Sequence, residues 1–159
     1  MGKKDDKTNV MRVLDAAKIN YTFKKYEQNS TLTGAEIAKI LGEEPKKVFK
    51  TLVTVGKSKQ HYVFMLPVEK ELDLKKAAKA ASEKSVEMIP QKELLGLTGY
   101  VHGGCSPIGM KKQFPIFIDE SSKNFDEIYF SAGKIGYQVC LKFNDFEKFT
   151  KAKTADIAK

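Results

Sequence analysis

The chain has 159 residues, of which 42% are hydrophobic and 30% charged, the balance of a globular domain rather than a disordered chain. No apolar run approaches the roughly 20 residues that span a bilayer, and the charged start Met1–Lys7 has no apolar stretch behind it, which excludes an export signal and leads us to expect a cytoplasmic protein. Lys and Arg total 28 against 20 acidic residues, a net charge of +8, so polyanions are favoured partners.

The length fits a single domain, 1–159, with polar tails expected at 1–8 and 151–159. Val10, Val13, Leu14 and Ala17 recur at helical spacing and predict a helix from about Asn9 to Lys18. Residues 21–26 alternate and are aromatic, as in a strand. Thr33 and Glu36 have capping-box spacing before a helix that carries Ile37, Ile40 and Leu41 and stops at Gly42. Val48–Val55 gives the strongest strand signal, and a turn at 56–60 joins it to a partner strand at His61–Pro67. Leu72–Ala81 reads as a helix and Val86–Met88 as a short strand, and Pro90 starts a helix at Gln91–Leu95 that Gly96 and Gly99 end. Residues 100–109 form a loop and Ile116–Asp119 a short buried strand. Glu127–Ser131 and Tyr137–Leu141 flank a Gly133–Gly136 turn as a hairpin, before a last helix at Asn144–Thr150. Interleaved helices and close strand pairs favour a mixed α+β domain over a doubly wound parallel sheet.

Nearly all the positive charge is lysine, since Arg12 is the single arginine. Lysines contact phosphates, which position a nucleic acid without reading its sequence. Two cysteines, Cys105 and Cys140, cannot build a disulfide framework, and no Cys or His pair has zinc-site spacing, so neither metal nor cofactor is expected. Lys50 stands in the middle of a strand that is apolar on both faces. Either it snorkels to solvent or it lines a cleft for an anionic or carbonyl group. The loop Gly103-Gly-Cys-Ser-Pro-Ile-Gly109 allows close backbone approach, and its N–H groups could hold an anion or a developing oxyanion. It is not a P-loop, because Met110 stands where the lysine belongs and Pro115 cuts off the helix that should follow. Ser106 or Ser131 with His102 lacks the frame of a nucleophile elbow. Cys105 could serve as a nucleophile if its thiol were exposed and acidic.

Phe49-Lys-Thr-Leu-Val53, Leu74-Lys-Lys-Ala-Ala-Lys79, Lys84-Ser-Val-Glu-Met88, Thr98-Gly-Tyr-Val101, Gly103-Gly-Cys-Ser-Pro-Ile-Gly-Met-Lys-Lys112 and Ser131-Ala-Gly-Lys-Ile-Gly136 occur in that order. Over about residues 9 to 150 this set resembles the YbaK (EbsC-like) family of Cys-tRNA(Pro) deacylases, within the YbaK and prolyl-tRNA-synthetase-associated domain superfamily. The resemblance implies an α+β fold whose mixed, largely antiparallel, β-barrel-like sheet is surrounded by helices. It also implies a free-standing editing enzyme. A pocket separates near-isosteres such as cysteine and proline by only about 1–3 kcal/mol, so a second sieve is needed. On the same resemblance Lys50 would contact the 3′-terminal nucleotide or the aminoacyl ester, and the Gly103 and Gly104 N–H groups would hold the ester carbonyl. Tyr26 and Ser131 would line the substrate pocket, with Ser106, Pro107 and Gly133 as further substrate-side positions. Thr33 falls where some members have Phe, and Cys105 where an apolar residue is usual. The implied mechanism needs no protein nucleophile, because the thiolate of the substrate cysteine attacks the ester and leaves as a cyclic thioester. The implied partner is the single-stranded acceptor end of an aminoacylated tRNA, held by phosphate contacts and stacking on a Tyr or Phe, with prolyl-tRNA synthetase as a second partner. A deacylase for another ester such as Ala-tRNA(Pro), and a non-catalytic module that binds an RNA end or a nucleotide, remain open.

Overall fold

The structure is a computed structural model that describes residues 7–27 and 33–159. Thr8 caps the first helix, α1 (Asn9–Ala16), by accepting the Met11 N–H at 3.2 Å, so residue 8 belongs to the fold; residues 1–6 of the expected tail lie outside the described residues. The strand β1 (Thr22–Lys25) follows. Helix α2 (Gly34–Leu41) starts with the capping box: Thr33 Oγ1 accepts the Glu36 N–H at 3.1 Å while Glu36 Oε1 accepts the Thr33 N–H at 2.9 Å. A 3-10 turn at Pro45–Lys47 leads into β2 (Phe49–Gly56), which turns back into β3 (His61–Pro67). Then come α3 (Leu74–Ala81), β4 (Val86–Met88), α4 (Gln91–Thr98), β5 (Ile116–Asp119), β6 (Glu127–Ser131), β7 (Tyr137–Lys142), α5 (Phe143–Thr150) and β8 (Lys153–Ala155).

Two sheets result. One has the order β4-β2-β3-β5-β8, antiparallel from β4 to β3 and parallel from β3 to β8. The other is the antiparallel β1-β7-β6. A single parallel bridge, Val48 to Tyr129, joins them. The α+β expectation holds in this form: two sheets meet along one edge, and no closed barrel is present among the described residues.

The main core fills the space between the sheets. Phe49, Val53, Val63 and Met65 face Phe130, Val139 and Leu141, and Val10, Met11 and Leu14 of α1 and Phe146 of α5 close the ends. The opposite face of the larger sheet carries Phe64, Leu66 and Phe117 under Ala77 and Ala78 of α3. Alternate residues of β2 therefore serve two cores, which is why both of its faces read as apolar. A third, small cluster of Ala38, Val48, Tyr129 and Cys140 lies where α2 covers the outer face of the smaller sheet.

The expected tail at 151–159 is instead part of the fold. β8 pairs in parallel with β5, Ile157 is completely buried in the second core, and Leu72 bridges to Ala158. The Ile157 N–H donates to Asp119 Oδ1 at 3.3 Å, and Lys76 Nζ donates both to Asp156 Oδ1 and to the Ala158 carbonyl, each at 3.0 Å. A three-residue strand with lysine at its start leaves too little periodicity to be read from sequence.

Candidate functional site

Tyr129, Ser131, Gln138 and Cys140 share the outer face of the smaller sheet, since Ser131 pairs with Gln138 and Tyr129 with Cys140. α2 and the first residues of β2 pass over this face but do not cover its Ser131 end. The gap is a cavity of about 300 Å³ lined by Ile37 from α2, Val48 to Leu52 from the start of β2, Val68, Leu94, His102, Gly103, Cys105, Ser131 and Gln138. Lys50, Gly103, Cys105 and Ser131 are thus brought together from segments far apart in sequence.

Lys50 is half-buried at the start of β2, opposite Leu66 in the ladder. No hydrogen bond or ion pair holds its ammonium among the described residues. Burial pulls its proton affinity below that of an ordinary lysine, and the Glu71 carboxylate partly offsets this. A cation on an apolar strand, lining a cavity with no direct ion pair among the described residues, is poised for an anionic or carbonyl oxygen.

The glycine loop is built as a turn. The Gly104 N–H donates to the Val101 carbonyl at 3.0 Å, and Gly103 has φ +89, the left-handed value that the third position of a type II turn requires. Behind it Tyr100 anchors the loop, donating its hydroxyl to the Ile108 carbonyl at 2.6 Å. The Gly104 N–H is therefore committed inside the turn and does not point out as a second oxyanion donor. A Cβ at residue 104 would lie 3.0 Å from the Ile135 nitrogen and 3.2 Å from the Lys134 carbonyl carbon. This glycine lets the loop abut the turn that follows Ser131.

Ser131 is buried, and its Oγ accepts the Gly133 N–H at 3.1 Å, so it keeps its own proton to donate. Cys105 is buried as well, and burial pushes its thiol up to about 12. A neutral thiol at pH 7 is neither a ready nucleophile nor a ready disulfide former.

The other expected positions stand apart from the cavity. Thr33 is the exposed cap of α2, its Oγ1 engaged with Glu36. Tyr26 is half-buried and gives its N–H to the Gly136 carbonyl at 2.9 Å. Both flank residues 28–32, which lie outside the described residues. Ser106 is fully buried and accepts the Ile108 N–H at 3.4 Å, shaping the loop from inside. Pro107 lines a different depression beside Val13 and Phe149. Gly133 lies one turn behind Ser131, with Tyr100 and Val10 packed against it.

Two cavity residues were not singled out from the sequence. Thr51 Oγ1 and Gln138 Oε1 are buried and have no hydrogen-bond partner among the described residues. A buried oxygen left unpaired costs about 1–3 kcal/mol, so two in one cavity point to a ligand that pairs them. Among the described residues no group of His, Cys, Asp and Glu could hold a metal, and no helix is long and apolar enough to cross a membrane.

Two sheets joined along one edge carry a cation-bearing cleft at their seam, suited to an anionic or carbonyl ligand. The comparisons make the class definite. Residues 28–149 match the aminoacyl-tRNA editing domain family, and the chain belongs to that family. It is thereby an aminoacyl-tRNA deacylase, a hydrolase of the ester between amino acid and tRNA. Over 158 residues it is 44% identical to EbsC of Enterococcus faecalis, a candidate Cys-tRNA(Pro)/Cys-tRNA(Cys) deacylase, covering 98% of this chain and 95% of that one. Among solved structures, a candidate trans-editing enzyme for prolyl-tRNA synthetase superposes with a TM-score of 0.80 at 25% identity, covering 95% of this chain and 97% of that one. The protein APE2540 has the same fold, with a TM-score of 0.87 at 21% identity over 96% of this chain and 100% of that one.

Proposed function

We propose that this protein clears Cys-tRNA(Pro), with the thiol of the esterified cysteine as the nucleophile. The observation that carries the proposal is a cleft with a cation of lowered proton affinity but no activated protein nucleophile. His102 lines the same cavity, but no hydrogen bond joins it to Ser131 among the described residues, and burial keeps Cys105 protonated. In this scheme the substrate thiolate forms a C–S bond to the ester carbonyl carbon, the C–O bond to the ribose breaks, and the ribose oxygen takes up the proton. The products are a cyclic thioester, which water then opens, and free tRNA. Lys50 and the Gly103 N–H bind the oxygen on which negative charge develops, and Ser131 lines the amino-acid pocket. Tyr26, beside residues 28–32, remains a candidate for contact with the tRNA end. Specificity for tRNA(Pro) would come from association with prolyl-tRNA synthetase, in keeping with the structural neighbour that is a candidate trans-editing enzyme for that synthetase.

A second reading is favoured by Thr51 and Gln138. Their unpaired oxygens could hold a water, and a positioned water would cleave an ester whose amino acid lacks a thiol. Deacylation of Cys-tRNA(Pro), Ala-tRNA(Pro) and Pro-tRNA(Pro) by wild type and Lys50→Ala separates the two. We expect selective loss of the cysteinyl ester, release of the cyclic thioester, and a rate drop of about a hundredfold or more in the variant. Equal cleavage of Ala-tRNA(Pro) would end the thiol mechanism, and cleavage of none would leave a binding module.

A further inference from the structure

Cleavage of the ester by its own thiol moves a proton as well as bonds. The thiol gives up a hydrogen and the ribose oxygen takes one, while an ordinary thiol keeps its proton up to about pH 8.5. Most hydrogens in the cavity are held too tightly to serve. Burial pushes the Cys105 thiol up to about 12. The Ser131 hydroxyl can donate a hydrogen bond but does not ionise near neutral pH. The Lys50 ammonium would lose, with its proton, the charge that holds the oxyanion. His102 lines the same cavity, and imidazole is the side chain that both takes and gives a proton near neutral pH.

His102 is also unengaged and close to the reacting atoms. It is exposed, and no hydrogen bond, ion pair or ring contact holds its side chain among the described residues. The other histidine, His61, packs its ring against Phe114 with centroids 5.2 Å apart. His102 is a corner of the turn that the Gly104 N–H closes onto the Val101 carbonyl, directly before Gly103. The carbonyl oxygen and the ribose oxygen of the ester share one carbon. A substrate whose carbonyl oxygen sits on the Gly103 N–H therefore presents its leaving oxygen beside a side chain rooted at the preceding residue. The ionisable groups around that side chain are Lys50 from β2, Cys105 in the same loop, and Lys134, whose backbone abuts Gly104.

We infer that His102 is the proton carrier of the deacylation, taking the proton of the substrate thiol and delivering it to the ribose oxygen. The inference rests on the thiol-attack reading and deepens it. The neutral imidazole accepts the S–H proton as the sulfur forms its bond to the carbonyl carbon. The C–O bond to the ribose then breaks, its electron pair stays on the ribose oxygen, and the imidazolium gives the proton to that oxygen. The imidazole ends as it began, so no further reactant is needed. Lys50 and the Gly103 N–H hold the carbonyl oxygen, while His102 serves the two atoms that exchange the proton.

The test is cleavage of Cys-tRNA(Pro) by wild type, His102→Gln and His102→Ala as a function of pH. Near neutral pH both variants should lose about a hundredfold in kcat with KM unchanged. Wild type should hold its rate from neutral pH up to the thiol range. The residual rate of His102→Gln should instead climb with pH through about 8.5, because the thiolate must then form unaided. Added imidazole should raise the rate of His102→Ala by about tenfold, since the exposed position leaves the vacated space open to solvent. His102 belongs to no core, so both variants should melt with wild type; if His102→Ala does not, His102→Gln decides. A wild-type rate in His102→Gln, a raised KM at unchanged kcat, a pH profile of unchanged shape, or no gain from imidazole would each overturn the proton carrier. These outcomes leave the thiol reading standing if wild type still prefers the cysteinyl ester. Equal cleavage of Ala-tRNA(Pro) by wild type would end the thiol reading and the transfer from the thiol with it, and no cleavage of any aminoacyl-tRNA would end both.

Discussion

Gly104 meets Ile135 backbone to backbone, with room for a hydrogen but not a methyl group: a Cβ there would lie 3.0 Å from the Ile135 nitrogen. The obstructing atoms are main chain and cannot swing aside as a flexible side chain would. Gly104→Ala should therefore push the two cavity loops apart, at a stability cost of about 1–3 kcal/mol. A displacement of about 1 Å at a reacting centre can cost a hundredfold in rate, so deacylation should fall further than stability does. Thermal melting and single-turnover deacylation read the two effects. A variant that melts lower but cleaves at the wild-type rate would show that the spacing of these loops does not set the chemistry.

Thr51 and Gln138 carry an opposite signature. Their buried oxygens find no partner among the described residues, so they weaken the fold that displays them. Thr51→Val and Gln138→Leu keep size while deleting the polar atom. We expect each to leave stability unchanged or to raise it by up to about 1 kcal/mol, and to lower kcat/KM for the aminoacyl ester by about tenfold or more. Loss of stability together with unchanged turnover would mean that these groups serve the fold and not the substrate.

The two thiols give a separate check on the cavity. Burial raises both Cys105, to about 12, and Cys140. Alkylation of the native protein by iodoacetamide at pH 8 should run about a hundredfold or more slower than that of the denatured chain. Rapid, stoichiometric labelling of Cys105 would show that its loop opens and that a thiolate is available there.

Much of this was legible before the fold was known. The capping box at Thr33 and Glu36 and the hairpin strands around 56–60 and 133–136 are local signals, set by residues within a few positions of one another. Lys50 was legible as an anomaly, a charge on a strand apolar on both faces. What could not be read depends on contacts distant in sequence. Thr51 and Gln138 look like ordinary strand residues until the fold shows that, among the described residues, no donor reaches Thr51 Oγ1 or Gln138 Oε1. Cys140 shares its alternation with Gln138 and Lys142, which gives no sign of a core position; it is buried because α2 lies across that face. The Gly104 N–H looked available, but the turn at Val101 claims it. Thr33 matched a pocket position in the family pattern, yet its hydroxyl is taken up by capping.

Lys50 should also leave a mark on pH dependence. Burial lowers its folded-state proton affinity below that of the unfolded chain, so between the two values the unfolded state binds more protons. Stability therefore rises with pH across that window below the ordinary lysine value, and Lys50→Met should abolish that rise. Activity should move the other way. If the ammonium holds the developing oxyanion, kcat/KM falls as pH rises through the lowered value, while Lys50→Arg shifts that fall to higher pH. A pH–rate profile identical in wild type and Lys50→Arg would remove this lysine from the transition state.

The C-terminal segment carries the last prediction. Ile157 is completely buried against Phe64 and Phe117, which stack with centroids 5.5 Å apart, and its N–H is held by Asp119 Oδ1. Asp119 also accepts the Ser121 N–H, at 3.2 Å through Oδ2, so one buried carboxylate ties β5 to both the following turn and the chain end. Ile157→Ala should cost about 2–5 kcal/mol, as for any fully buried aliphatic side chain. Asp119→Asn keeps an acceptor and should cost less than Asp119→Ala, which orphans two N–H groups. Neither residue lines the cavity, so any variant that still folds should retain wild-type KM for the aminoacyl ester. Urea denaturation together with that KM measures both. If Ile157→Ala proved as stable as wild type, the chain end would be a tail after all, and the parallel pairing of β8 with β5 would not survive in solution.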